Sequence, residues 1–253
     1  MTDTILITGA ASGIGAATAR LFHQRGWQVG LLDISAEPLA ALALELDNAW
    51  HRTLDVREAD AAQQAVNDFA QAAGGLRVLF NCAGVLQIGH FEEISADAHA
   101  RIVGINVQGV INMTLAALPW LQGAREPLVI NMSSASALYG VPHLASYSAS
   151  KFAVRGLTEA LDIEWRRHGI RVCDLMPPFV NTPMVRDQAF RAPVVDRLGV
   201  HLSAEDIAEA AWKALKKPAV HHPIGLQFAG TMLLEKLAPR AFTRRLMGFL
   251  SRT

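Results

Sequence analysis

The stretch Thr8-Gly9-Ala10-Ala11-Ser12-Gly13-Ile14-Gly15 decides the fold of this chain. It follows a short apolar run at residues 5–8 and opens a stretch of helical period. Its glycines have the spacing G-x-x-x-G-x-G, which differs from the G-x-G-x-x-G of the general dinucleotide fingerprint. Glycines at such a turn let backbone amides approach a pyrophosphate at a helix N-terminus. The alternative is a strand-to-helix turn with incidental glycines, but the strand before it and the helix after it favour a dinucleotide site.

Outward from this loop, apolar runs alternate with alanine-rich stretches of helical period. The apolar runs are 5–8, 28–33, 52–56, 78–82, 128–132, 170–175 and 224–228, and the helical stretches are 13–24, 36–46, 59–72, 96–120, 148–168 and 204–215. This alternation predicts an α/β fold: a single Rossmann-like, doubly wound domain over residues 1–253, with a parallel sheet of about seven strands and helices on both faces. The composition, 51% hydrophobic and 18% charged, excludes a disordered chain.

Local signals mark several boundaries and two special segments. Gly26 and Gly169 follow helical stretches, as C-terminal caps do, and Ser203-Ala-Glu-Asp206 resembles a capping box. Residues 181–200 form the longest stretch without a clear period, which predicts a substrate lid. Residues 229–253 form a basic, amphipathic C-terminal tail, which predicts either contact with a membrane surface or packing over the pocket or a partner subunit.

Composition also restricts the possible partners. Lys and Arg number 23 and Asp and Glu number 23, so there is no basic excess for binding nucleic acid. Two cysteines, Cys82 and Cys173, are too few for a disulfide framework, and with no signal peptide visible we expect a cytoplasmic protein. The sequence contains no run of 18 apolar residues, so no transmembrane segment is predicted. The pair His221-His222 lacks the spacing of a metal site, so no metal is expected.

Two acidic residues support the dinucleotide interpretation. Asp33 ends the second apolar run, 18 residues after Gly15, where a carboxylate can accept hydrogen bonds from an adenosine ribose. The same carboxylate would repel a 2′-phosphate, and neither Ser12 nor Ile34 supplies a cation, so NAD is expected rather than NADP. Asp55, followed by Val56, ends the third run and either contacts the adenine edge or caps its own loop; spacing alone leaves both open.

A tyrosine and a lysine four residues apart form the candidate catalytic pair. Tyr147 and Lys151 begin a predicted helix and therefore share a face. A free phenol has a pKa of about 10, and a desolvated ammonium together with a nicotinium ring could lower it towards the range useful for a base. Ser134, 13 residues before the tyrosine, can donate a hydrogen bond to a substrate oxygen. A lone Tyr-x-x-x-Lys is usually a surface pair, but the upstream glycine loop favours the catalytic interpretation.

Together these motifs resemble the short-chain dehydrogenase/reductase superfamily over roughly residues 3–228. The matching stretches are Thr8 to Gly15, Asp55-Val56, Asn81-Cys82-Ala83-Gly84, Asn106-Val107-Gln108-Gly109, Ser133-Ser134 and Tyr147 to Lys151. The resemblance implies a catalytic tetrad of Asn106, Ser134, Tyr147 and Lys151. In it the tyrosine exchanges the proton, the serine orients the substrate oxygen, and the lysine binds the nicotinamide ribose and lowers the tyrosine pKa. The asparagine is implied to sit at a helix irregularity and to hold a water of the proton relay.

The resemblance also implies a set of cofactor contacts. These are Gly9, Ser12, Gly13, Ile14, Gly15, Asp33, Asp55, Val56, Asn81, Ala83, Gly84, Tyr147, Lys151, Pro177, Val180 and Thr182. The chain departs from the family at Cys82, where a second asparagine is usual, and at Pro178, where a glycine is usual. A homodimer or a homotetramer is expected, and the absence of the Val-Asp-Gly-Gly ending common in tetrameric members favours the dimer.

The segments implied to line the substrate pocket are mostly apolar. Residues 85–90 and 135–143 contain no arginine or lysine, which favours a lipophilic, uncharged alcohol or ketone. The apolar candidates are Leu86, Ile88, Leu138, Tyr139, Val141, Leu144, Phe179, Met184, Val185 and Phe190. The expected function is an NAD-dependent alcohol dehydrogenase or carbonyl reductase. The alternatives are a catalytically silent protein of the same fold that senses dinucleotides, and an NADP-dependent carbonyl reductase.

Overall fold

The computed structural model describes residues 2–190, 192–225 and 228. Within them the strands are β1 Thr4–Thr8, β2 Gln28–Asp33, β3 Trp50–Thr53, β4 Val78–Asn81, β5 Leu128–Met132, β6 Arg171–Met176 and β7 His221–Pro223. The α-helices are α1 Gly13–Gln24, α2 Ala36–Glu45, α3 Ala59–Ala73, α4 Ala96–Val103, α5 Gly109–Leu121, α6 Ala145–Glu164, α7 Pro183–Arg186, α8 Pro193–Leu198 and α9 Ala204–Ala214.

The strands form one parallel sheet in the order β3-β2-β1-β4-β5-β6-β7. This confirms the predicted seven-stranded, Rossmann-like sheet. The strand order reverses between β1 and β4, because the chain runs outward from β1 to β3 and then returns to the other side of β1. Loops that leave neighbouring strands at such a reversal diverge, which opens a crevice at the carboxyl ends of the strands.

The core lies on both faces of this sheet. All residues of β1, β4 and β5 are buried, as in parallel sheets with two covered faces. On one face α1, α2 and α9 pack through side chains that include Phe22, Leu39 and Ile207. On the other face α3 and α5 pack through side chains that include Phe69 and Met113. The doubly wound arrangement is therefore confirmed.

The predicted boundary signals are present in the structure. Gly26 and Gly169 have φ of +80° and +69°, the left-handed conformation that ends helices. The Ser203 hydroxyl accepts from the backbone N–H of Asp206 at 3.2 Å, and the Asp206 carboxylate accepts from the backbone N–H of Ser203 at 2.8 Å. The two bonds make the capping box that starts α9.

Three predicted elements differ from the observed ones. The strand expected at 52–56 is Trp50–Thr53, because Asp55 accepts from the backbone N–H of Arg57 at 3.0 Å and turns the chain. The strand expected at 224–228 is His221–Pro223, where His221 pairs with β6. The single helix expected at 96–120 is interrupted by a π-helical turn at Gly104–Gln108. The period of apolar residues in a sequence does not predict turns or helix irregularities that depend on particular polar contacts.

Residues 181–200, here called the lid segment, contain the short helices α7 and α8. Two helices of four and six residues explain why the sequence has no sustained period there. The amphipathic tail expected at 229–253 lies outside the described residues.

One helical path meets the length and composition of a membrane-spanning segment. It runs over Ala96–Leu121, is 26 residues long and has a hydropathy of 1.4. Half of its most apolar window is buried inside the protein, and its α5 part packs on α3 and the sheet. Buried core helices of soluble proteins have the same length and apolar composition, so these two properties are weak evidence for a membrane span.

Candidate active site

A cleft of about 270 Å³ opens at the carboxyl ends of β1, β4, β5 and β6, at the reversal of strand order. It brings together most of the residues that the sequence singled out. Those that line it are Gly9, Ser12, Gly13, Ile14, Gly15, Asp33, Gly84, Ser134, Tyr147, Lys151, Pro177, Val180 and Thr182. The remaining predicted residues, Asp55, Val56, Asn81, Ala83 and Asn106, do not line this cleft.

The glycine loop forms the floor of one end of the cleft. Gly9 has φ of +69°, and a Cβ there would lie 2.8 Å from the Cα of Ala83, so only glycine fits. Gly13 has φ of +51°, and its Cβ would lie 3.4 Å from the Thr182 side chain. A side chain at position 13 would therefore fill the space between this loop and the start of the lid segment. The loop fits the pyrophosphate of a dinucleotide, which needs close approach of the backbone.

Ala83 is placed behind this loop and supports it. The hydroxyl of Thr8 accepts from the backbone N–H groups of both Cys82 and Ala83, each at 3.0 Å. These bonds tie the end of β1 to the loop after β4. Cys82 lies in the cleft, and burial raises the pKa of its thiol to about 12. The thiol is thus protonated and unreactive, as expected of a small packing residue.

Asp33 presents a carboxylate to the same end of the cleft. One oxygen accepts from the backbone N–H of Ala11 at 3.0 Å, and the other accepts from the backbone N–H of Ser35 at 2.9 Å. These bonds fix the carboxylate relative to the glycine loop. The next residue, Ile34, is 61% exposed and brings no positive charge.

Asp55 interacts with its own loop. Its carboxylate accepts from the Arg57 guanidinium at 2.6 Å, and this hydrogen bond is the main reason its pKa is lowered. The carbonyls of Val56 and Arg57 accept from the Asn112 side chain at 2.9 and 3.0 Å. The loop-capping alternative therefore describes the contacts of Asp55, and a contact with adenine stays a prediction. Sequence reasoning missed Asn112, whose signal was a polar residue inside an apolar helix.

Asn81 belongs to a buried polar network below the cleft. Its amide donates to Thr114 at 3.0 Å and to Asn131 at 2.9 Å. The amide of Asn131 in turn donates to Thr158 at 2.9 Å. The network joins β4, α5, β5 and α6, the four elements that carry the loops and helix around the cleft. These bonds make Asn81 a positioning residue, and a direct contact between Asn81 and the cofactor stays a prediction.

Asn106 lies in the π-helical turn that separates α4 from α5. The expected helix irregularity is therefore present. The extra residue of a π turn directs this side chain inward, where it is fully buried. Its Oδ1 accepts from the backbone N–H of Val85 at 2.8 Å, and its Nδ2 donates to Val85 O and to Ser150 Oγ, both at 3.0 Å. Asn106 thus holds the loop after β4 against the start of α6.

Tyr147, Ser134 and Lys151 meet at the centre of the cleft. The side chains of all three residues line the same cleft, and Ser134 is the group that acts to lower the pKa of the Tyr147 phenol. Lys151 donates from Nζ to the Met132 carbonyl at 2.7 Å, and Nζ lies 5.4 Å from the centroid of the tyrosine ring. The predicted pair therefore shares one buried site rather than the protein surface.

Burial dominates the titration of this pair. It raises the pKa of Tyr147 to about 12, partly offset by the neighbouring Ser134 side chain, and lowers the pKa of Lys151 to about 8. The expected lowering of the tyrosine pKa by the lysine together with a nicotinium ring stays a prediction, because burial has the largest effect in the protein by itself. A buried phenolate loses solvation, and the ammonium at this distance does not compensate for that loss.

The walls above Tyr147 are apolar. Seven of the ten apolar residues expected there line the cleft: Leu86, Tyr139, Val141, Leu144, Phe179, Met184 and Val185. Leu138 packs instead in a small cluster with Met176 and Phe228. Ile88 and Phe190 belong to the apolar cluster around the cleft without lining it. Among the described residues that line the cleft, Lys151 is the one cation.

Comparisons with known proteins agree with this geometry. A family model described as short chain dehydrogenase matches residues 3–191. Oxidoreductase UcpA of Salmonella typhimurium is 38% identical over 191 residues, covering 74% of this chain and 72% of the relative. A 3-alpha-(or 20-beta)-hydroxysteroid dehydrogenase of Mycobacterium tuberculosis is 38% identical over 180 residues, covering 71% of this chain and 69% of the relative.

A solved structure extends the similarity to the fold. The crystal structure of a short chain dehydrogenase/reductase from Burkholderia phymatum in complex with NAD superposes with a TM-score of 0.83 at 26% identity, covering 92% of each chain. The sheet order, the cleft at its reversal and the family match all agree. The chain therefore belongs to the short-chain dehydrogenase/reductase superfamily of oxidoreductases, which use nicotinamide cofactors.

Proposed function

We propose that this protein is an NAD-dependent dehydrogenase or reductase that interconverts a secondary alcohol and a ketone, with a lipophilic, uncharged substrate. The observation that carries the proposal is that Ser134, Tyr147 and Lys151 line one cleft together with apolar side chains. A phenol in this position can exchange a proton with a substrate oxygen while Ser134 holds that oxygen. The four tetrad residues are all present, which argues against a silent sensor of dinucleotides.

The glycine loop and Asp33 support NAD as the cofactor. Gly9, Gly13 and Ser12 would hold the pyrophosphate, and the fixed carboxylate of Asp33 would accept hydrogen bonds from the adenosine ribose. Lys151 and Thr182 also line the cleft, and we expect them to contact the nicotinamide half. When bound, the nicotinamide ring supplies or accepts the hydride.

The chain's own residues supply the proton chemistry. Tyr147 Oη gives its proton to a carbonyl oxygen in reduction and takes it from a hydroxyl in oxidation, while Ser134 Oγ donates a hydrogen bond to the same oxygen. The Lys151 ammonium is anchored on the Met132 carbonyl, which keeps its charge beside Tyr147. Asn106 acts indirectly, because it fixes Val85 and Ser150, and Ser150 donates to the Tyr147 carbonyl at 2.7 Å.

The substrate class follows from the walls of the cleft. Apolar side chains from the loop after β4, the loop after β5 and the lid segment surround the phenol. A carboxylate or phosphate would find no cation there besides Lys151 among the described lining residues, and Lys151 is committed to the tyrosine. The mycobacterial relative is named for hydroxysteroids, which are apolar secondary alcohols, and this supports the same class.

We also propose that the protein assembles as a homodimer or a homotetramer. Leu115 on α5 and Ile163 on α6 are 60% and 67% exposed. We propose that a partner subunit covers these two side chains. Proteins of this superfamily are generally oligomeric, which agrees with that assignment.

The proposal is tested by turnover of a homologous series of secondary alcohols with NAD. The apparent affinity should rise by up to about 0.8 kcal/mol for each buried methylene until the chamber is filled. Tyr147→Phe serves as the matched control, since it removes the hydroxyl and keeps the ring. We expect kcat of this variant to fall about 10²–10⁴-fold with NAD binding nearly unchanged. Preference for short, anionic substrates, or full activity of the phenylalanine variant, would refute the proposal.

A further inference from the structure

The lid segment is fastened to the rest of the protein at its base. Val180 pairs with Leu202 in a parallel bridge, and the backbone N–H of Asn181 donates to the Leu202 carbonyl at 2.8 Å. The two ends of the lid segment are thus held together. The middle of the lid segment, around Gln188, here called the lid tip, lies between these ends and depends on side-chain contacts to stay over the cleft.

Gln188 provides such a contact. It lies just after α7 and faces the loop between β4 and α4. Its Oε1 accepts from the backbone N–H of Ile88 at 3.0 Å, and its Nε2 donates to the Leu86 carbonyl at 3.1 Å. Gln188 thus binds the N–H of Ile88 and the carbonyl of Leu86, two backbone groups that a neighbouring parallel strand would bind in the same way. Nε2 also donates to the Met184 carbonyl at 2.8 Å, which orients the amide from its own side.

A ring cluster lies beside this contact. Phe190, two residues further along the lid segment, packs against His90 and His143 with ring centroids 5.3 and 5.1 Å apart. The two histidine rings meet edge to face at 4.9 Å. The backbone N–H of Gly89 donates to the His143 carbonyl at 3.0 Å, so the two loops that receive the lid segment are joined to each other.

The chamber that these contacts close is the one above the candidate catalytic tyrosine. Ile88 from the loop after β4 and Val194 and Val195 from the lid segment are buried in one apolar cluster, and Tyr147 packs against it. Movement of the lid tip away from Ile88 would separate the walls of this chamber. The separation would expose apolar surface that the substrate is proposed to cover.

We infer that Gln188 is a positioning residue that holds the lid segment on the loop after β4, and so forms the substrate-binding conformation before substrate arrives. The inference rests on the proposed function for its kinetic consequence. Its structural consequence, a protected Ile88 amide, does not depend on any activity. Loss of the amide lowers the fraction of molecules with a closed chamber, and the apparent KM rises by the inverse of that fraction.

The first test measures hydrogen exchange at single residues in wild-type protein, Gln188→Ala and Asp187→Ala. Asp187 is the neighbouring, exposed lid residue and gives the matched control. In Gln188→Ala we expect exchange of the Ile88 amide to accelerate at least about tenfold, which corresponds to about 1.4 kcal/mol. The Gly89 amide, which is bound to His143, should change much less. Unchanged exchange at Ile88 would overturn the inference.

The second test measures steady-state kinetics of the same variants and of Gln188→Glu with the best secondary alcohol. Glutamate keeps the acceptor for Ile88 and loses the donor to Leu86 and Met184, so it tests the amide without a change in size. For both Gln188 variants we expect KM to rise about tenfold or more while kcat and the Kd for NAD stay within about threefold. Faster exchange with an unchanged KM would also overturn the inference. If no alcohol or ketone is turned over by the wild type, the proposed function fails, and the exchange result still decides the role of Gln188.

Discussion

The preference for NAD over NADP should depend on one carboxylate. We consider the variant Asp33→Ala combined with Ile34→Arg, which removes a negative charge beside the ribose site and adds a positive one. Asp33 accepts one backbone hydrogen bond on each oxygen, so the carboxylate has little freedom to turn away from a 2′-phosphate. Ile34 is 61% exposed, so an arginine there fits without disturbing the core.

The magnitude follows from the charges. Two unit charges about 4 Å apart interact by roughly 4 kcal/mol at an effective dielectric constant of about 20. Salt and partial exposure at the cleft reduce this repulsion, and we take about 2 kcal/mol for the phosphate beside Asp33. An exposed arginine pair adds about 1 kcal/mol of attraction. The sum of about 3 kcal/mol predicts a change of about 100-fold in the ratio of the Kd values for NADP and NAD.

The ratio is measured by titrating both oxidised cofactors and both reduced cofactors into wild type, the single variants and the double variant. Ile34→Gln is the matched control, because it changes the same exposed side chain without adding charge, and its ratio should stay near that of wild type. The contribution of Asp33 should shrink as ionic strength rises. Tighter binding of NADP than of NAD by the wild type, or an unchanged ratio in the double variant, would refute the electrostatic argument.

Two further perturbations test the site and the sheet edge. Lys151→Ala should lower kcat and also weaken NAD binding, because the lysine is assigned to both the tyrosine and the ribose. Tyr147→Phe should lower kcat alone. If kinetic and binding titrations of Lys151→Ala show a loss in kcat only, that assignment is contradicted. At the sheet edge, His221 hydrogen-bonds to the buried Asp174 and to Glu159, each at 3.0 Å. The hydrogen bond to Asp174 raises the pKa of His221. Burial raises the pKa of Asp174. Both groups bind protons more tightly in the folded state than in the unfolded state. Their contribution to the free energy of unfolding should therefore decrease as pH rises from about 6 through the raised histidine pKa. Urea unfolding from pH 6 to 9 should show this decrease in wild type and a smaller one in His221→Asn.

Much of this architecture could be predicted from local patterns. Alternating apolar runs and helical periods gave the seven strands, because parallel strands are buried on both faces and helices bury one. The glycine loop could be recognised since its positive φ values and close approaches demand glycine at Gly9 and Gly13. The errors lie where one polar contact decides the local path, as Asp55 does when it ends β3.

The contacts that position the site could not be predicted in the same way. Asn112, Asn131 and Thr158 are signalled only by polarity inside apolar helices or strands, and the partners of each are up to 56 residues away. Gln188 lies 100 residues from Ile88 in a segment without periodicity. Pairing over such separations depends on the finished topology, which the sequence pattern describes only at the level of elements.

The pKa values of Tyr147 and Lys151 show what the spacing of a motif leaves out, namely the effect of burial on each group. Spacing placed the two residues on one helical face and suggested a direct electrostatic effect of the ammonium on the phenol. In the folded protein burial moves the two pKa values in opposite directions, to about 12 and about 8, because burial disfavours the charged form of each group. The protonated phenol is ready to donate to a carbonyl oxygen, whereas removal of a hydroxyl proton requires additional positive charge beside Tyr147. In the proposed reaction, removal of a hydroxyl proton would therefore depend on positive charge that enters the cleft with the cofactor.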